Sequence, residues 1–167
     1  MCKVALVTYV QFRRQAEKLV RECGFDGPPI DLRKIAEGLG IEIIEMTLPS
    51  WFFGVLVNLK GDFYIALNKG MPGHRKNFTI AHEIAHHQLH GTELAYMKNC
   101  KRDYFHREAD IFAAELCMPT FLVKDEAKKW YNDYRWLARE FAVSETAMVR
   151  KLQEEGILKN ATYECKS

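Results

Sequence analysis

Residues 78–91 read FTIAHEIAHHQLHG, and the interpretation of the whole chain turns on them. Phe78, Ala81, Ala85 and Leu89 recur at helical spacing and Gly91 is a suitable C-terminal stop, so the stretch is expected to be one helix. Within it, His82-Glu83-Ile84-Ala85-His86 forms an HExxH pattern. Residues four apart lie one turn above each other, so both imidazoles project from the same face. Two nitrogen donors at that spacing suit a catalytic zinc, which takes three protein ligands and keeps one position open. Glu83 falls about 100° round the helix, off the ligand face but within reach of a water that the metal activates. It can then take the proton as general base. The plainer reading is a buried helix whose histidines are merely hydrogen-bonded. His86 and His90 are also four apart, but His87 follows His86, so that register lacks a base.

The rest of the chain sets the context. A length of 167 residues allows one domain, or one with a small appendage, and a real core. Apolar residues at 48% and charged residues at 28% are ordinary for a globular protein, and a net charge of +2 points neither to nucleic acid nor to membrane. Cys2, Cys23, Cys100, Cys117 and Cys165 are odd in number and scattered, which reads as reduced thiols of a cytoplasmic protein. The apolar run 4–10 is too short for a signal peptide, and no segment reaches the length of a membrane span.

Helices are expected over residues 8–23 and 32–37, the latter capped by Asp31. Residues 41–46, 54–59 and 63–68 are rich in Val, Ile, Phe and Tyr and read as strands, the last two forming a hairpin through Lys60-Gly61-Asp62. If 63–68 is a sheet edge, it could hold an extended peptide by main-chain hydrogen bonds. Residues 92–103 read as a loop, 104–117 as a second long helix, and 120–129 as a third that Thr120 could cap. Helical patterns over 131–142 and 144–155 follow, then an exposed tail from residue 157. The expected fold is α+β: a small twisted sheet of three or more strands on a helical body. Residues 1–130 would form a zincin-like metallopeptidase domain, and 131–167 a helical extension packed on it.

A third metal ligand must come from another element. The helix 104–117 offers His106 and Asp110 at one edge of its apolar face, and Glu108 and Glu115 at the other. Periodicity does not choose between them.

Here the sequence resembles the ImmA/IrrE family of metallo-endopeptidases. The matching features are FTIAHEIAH at residues 78–86, EADIFAAELCMP at 108–119, a strand ending in Asn68, and LAREFAVS at 137–144. The resemblance covers residues 28–155. It implies a thermolysin-like site with two histidines, a glutamate base and a glutamate ligand on the second helix. At the position of that last glutamate this chain has His106. The resemblance therefore implies a zinc site of His82, His86 and His106, with Asp110 orienting a ligand. The alternatives are ligation by Glu108, or a damaged site that binds without cutting. It also implies a narrow protein substrate, often a helix-turn-helix repressor.

The C-terminal helices themselves resemble a helix-turn-helix. Residues 120–167 carry 9 Lys and Arg against 8 Asp and Glu, a net of 9 − 8 = +1, which is no basic recognition surface. Packing on the catalytic domain is the favoured role. Trp51, Phe52 and Phe53 are expected to pack at the core or a strand edge, with a substrate cleft as the alternative. Tyr64, Tyr96, His74 and His90 are possible oxyanion stabilisers, and Cys117 reads as buried filler.

Overall fold

The computed structural model describes residues 3–91 and 99–158, with side chains for 9–91 and 103–158. The fold is α+β, as expected. Helix α1 (Lys3–Glu22) is followed by α2 (Leu32–Gly38) and by strands β1 (Ile41–Met46), β2 (Gly54–Leu59) and β3 (Asp62–Asn68). Helices α3 (Gly73–His90), α4 (Asn99–Cys117), α5 (Thr120–Lys129), α6 (Tyr134–Glu140) and α7 (Glu145–Glu154) complete it.

Local chemistry accounts for most boundaries. The Asp31 carboxylate accepts from the backbone N–H groups of Arg33 and Lys34, which caps α2 as the sequence suggested. Lys60 and Gly61 both have positive φ, 57° and 104°, the geometry of a two-residue hairpin turn between β2 and β3. Helix α3 starts at Gly73, before the expected residue 78, because Pro72 opens it and its first turn is polar, so the apolar period begins only at Phe78. The same reason hides the start of α4 at Asn99: residues 99–103, expected as loop, are helical but carry no apolar stripe. The remainder of that expected loop, 92–98, lies outside the described residues. Helix α1 likewise begins at Lys3, since no breaker precedes residue 8. Tyr131 and Asn132, at φ 52° and 61°, with Asp133 capping from outside, confine the expected helix 131–142 to α6. Ser144 caps α7 by accepting from the N–H of Ala147.

Thr120 does not cap α5. Pro119 stands at that position without a side-chain bond, and the Thr120 N–H donates instead to Glu115 Oε1 at 2.6 Å. A carboxylate from the preceding helix does the capping.

The sheet order is β1-β3-β2, with β1 parallel and β2 antiparallel to β3. The strand 63–68 is therefore central and offers no free edge, which overturns its expected role in peptide binding. Strand β2 has the outer edge instead. Asn68 ends β3 and is buried; its side-chain N–H groups donate to the carbonyls of Leu48, Pro49 and Phe52 at 3.1, 3.0 and 2.9 Å. One amide thus pins the whole β1–β2 connection. That connection holds Trp51 out at 75% exposure and Phe53 at 43%, so of the expected packings for this aromatic cluster the core is excluded for both.

Helix α3 lies on the sheet and crosses α4, and α1 covers α4 from behind. Ile65 and Leu67 of β3, Ile80 and Ile84 of α3, Phe112 and Leu116 of α4 and Leu137 and Leu152 of the C-terminal helices belong to one buried cluster. Cys117 is buried filler there, its thiol pushed up to about 12 by burial. Ile157 and Leu158, expected as exposed tail, pack half-buried on the same core, while residues 159–167 are outside the described residues.

Strand β2 approaches α3 closely at Gly54. A Cβ there would stand 2.7 Å from Thr79 Cγ2 and 3.0 Å from the Ala66 carbonyl oxygen. The carbonyl cannot give way. Gly54→Ala is expected to cost about 1–3 kcal/mol, read as a lowered midpoint of thermal unfolding; an unchanged midpoint would show that the strand shifts freely.

Candidate metal centre

Helix α3 carries His82 and His86 one turn apart, and α4 brings His106 against them. Three ring nitrogens converge: His82 Nε2 and His86 Nε2 lie 3.1 Å apart, and His106 Nδ1 is 3.1 Å from the first and 3.2 Å from the second. The donors of a tetrahedral zinc with bonds of about 2.0–2.1 Å would stand about 3.3 Å apart, so the triangle fits such an ion closely. Among the described residues these three form the one His, Cys, Asp or Glu group able to hold a metal. An all-imidazole donor set also suits zinc by its chemistry.

The surroundings keep His86 neutral and give the other rings hydrogen-bonding partners. Burial, then the neighbouring imidazoles of His82, His90 and His106, hold His86 down to about 3, so its lone pair is available at neutral pH. His82 Nδ1 meets Asp110 Oδ1 at 2.9 Å. His86 Nδ1 meets His90 Nδ1 at 3.1 Å, and His90 Nε2 meets Glu108 Oε2 at 2.9 Å. Glu108 therefore faces His90 and lies outside the triangle.

Glu83 is buried, and its Oε2 accepts the N–H of Leu56 at 2.8 Å. Burial raises its carboxyl above the ordinary range, against the opposing pull of His82 and of that N–H. The bond also orients β2. Successive strand residues turn their N–H and C=O groups to opposite sides, so Gly54, Leu56 and Asn58 direct theirs to the outer edge beside α3. The amide of Asn68 meanwhile donates to the Phe53 carbonyl on the inner side.

Residues 36–153 match the family model Peptidase_M78, described as the IrrE N-terminal-like domain. The chain belongs to this family. The IrrE-like match spans both histidine helices, the sheet and α7, and it marks a metallopeptidase-type family. Among solved structures, a Mycobacterium tuberculosis transcriptional regulator is similar at 17% identity with a TM-score of 0.66, over 86% of this chain and 47% of that one. The likeness shows the fold, and this chain spans about half the length of that regulator. No curated protein matches the sequence significantly.

The other expected residues fall around this centre or away from it. His74 is exposed in the first turn of α3, His90 is engaged by His86 and Glu108, Tyr64 is half-buried on β3, and Tyr96 lies outside the described residues. Glu115 faces away, paired with Arg13 and Lys151. The Leu56 N–H was not anticipated, since a backbone donor leaves no residue signature. The contact of His90 with His86 did have a signal, the second four-residue step of the 82, 86, 90 spacing.

Proposed function

We propose that this IrrE-like chain is a zinc-dependent endopeptidase acting on a protein substrate, with His82, His86 and His106 holding the ion and Glu83 as general base. The observation that carries this is the convergence of the three ring nitrogens one residue away from a buried glutamate. A divalent ion held there supplies a Lewis acid for the peptide carbonyl and lowers the pKa of water. Glu83 takes the proton of the attacking water and returns it to the leaving amine. The N–H of Leu56 fixes that carboxylate. Main-chain groups of Gly54 and Asn58, on either side, would align an extended peptide along the outer edge of β2. Asp110 orients His82 from behind. Residues 131–167 act as a helical extension on the catalytic domain of residues 1–130.

A helix-turn-helix repressor is the substrate class favoured by the family and in keeping with a regulator among the similar structures. No helix among the described residues is long and apolar enough to cross a membrane. The test is incubation of the zinc-loaded chain with a candidate repressor, with and without chelator. Cleavage at one position, lost on chelation, is expected. Metal binding with no cleavage of any candidate would favour a regulatory metal-binding module. DNA affinity that survives chelation would favour a regulator acting through α6 and α7.

A further inference from the structure

We infer that His90 and Glu108 are positioning residues that select the metal-binding tautomer of His86. The inference rests on the metal reading above and concerns residues that reading leaves without a role. His86 turns Nε2 into the triangle, so ligation needs a lone pair there and the ring proton on Nδ1. That Nδ1 stands 3.1 Å from His90 Nδ1, and one proton fits between two ring nitrogens. If His86 donates it, His90 Nδ1 accepts and the proton of His90 sits on Nε2. The Nε2–H then meets Glu108 Oε2 at 2.9 Å, donor to acceptor. Each assignment forces the next.

The opposite pattern fails at both ends. In a neutral His90, a proton on Nδ1 would leave a bare Nε2 against a carboxylate oxygen, two acceptors in contact in a buried place. It would also put the His86 proton on Nε2, inside the triangle, where it blocks an ion. Glu108 therefore acts on the centre through two rings. The Phe105 ring packs edge-to-face on His90, the middle of this relay, at 4.4 Å between centroids. The His82 side is built differently: its outer nitrogen meets Asp110 directly, at a carboxylate 56% exposed.

The test is nitrogen-15 NMR of the imidazoles in the metal-free full chain, together with zinc affinity by chelator competition. The wild type is expected to show His86 protonated on Nδ1 and His90 on Nε2. In Glu108→Gln the side-chain amide can donate or accept, so both tautomers become available. A mixed His86 signal and a zinc affinity lower by about ten- to a hundred-fold are expected. A protein that binds zinc tightly but shows His90 protonated on Nδ1 overturns the relay alone, whether or not the variant folds. Unchanged tautomer and affinity in folded Glu108→Gln overturn it as well. A wild type that binds no zinc overturns the metal centre and the relay with it.

Discussion

Glu83→Gln is expected to lower peptide hydrolysis by about 10²–10⁴-fold and to leave the zinc content of the purified chain unchanged. The two halves of this expectation come from different atoms. Zinc stays because the donors are three imidazoles, and Glu83 is not among them. Turnover falls because an amide cannot take a proton from water. The substitution is mild for the fold: Gln retains an oxygen able to accept the N–H of Leu56, and a neutral amide is easier to bury than a carboxylate. Activity against a cleavable protein, metal content and thermal unfolding are the measurements. A variant that loses zinc would place Glu83 in the coordination sphere. One that cuts at the wild-type rate would remove it from catalysis.

Glu115→Ala is expected to cost about 3–5 kcal/mol of stability, a larger structural effect than that of Gly54→Ala. Glu115 is 1% exposed and receives three donors: Arg13 Nε at 2.7 Å, Lys151 Nζ at 2.6 Å and the Thr120 N–H at 2.6 Å. Burial pushes its carboxyl up, but Lys151 and Thr120 outweigh burial and hold it below the usual range. Removing it leaves the buried Lys151 with the neutral Thr120 Oγ1 at 2.8 Å and a single carboxylate, Glu155, at 3.7 Å, and uncaps α5. Denaturant unfolding reads the loss. A change under about 1 kcal/mol would rank this group with exposed pairs. The pH dependence follows the same sign. Burial raises Glu155, but Lys124 and Arg13 outweigh it and pull it down to about 2, and Glu115 is lowered too. Their stabilisation is therefore present above the unfolded value near 4.3 and fades as pH falls toward the folded values.

The sequence was most informative where the cause is local. His82, Glu83 and His86 could be placed on one helix from spacing alone, and the Asp31 cap from residue type. The third histidine required the resemblance, since His106 and Glu108 sit on opposite edges of the α4 stripe and periodicity treats the edges alike. Strand order was opaque for a similar reason: β3 becomes central only through pairing with β1, and alternation within 63–68 says nothing of its neighbours. The 82, 86, 90 spacing set His90 beside His86, but its bond to Glu108 was hidden, because that carboxylate comes from another helix. Polar first turns hid the starts of α3 and α4.

The charged cluster at Glu115 also bears on the order of assembly. Arg13 reaches Glu115 across 102 positions and Glu155 across 142. On the ribosome, α1 can therefore close these contacts only after almost all the described chain has been made. Loops of that size close late in folding. Synthesis of the histidine helices thus precedes the final clasp, which waits for α7 to emerge.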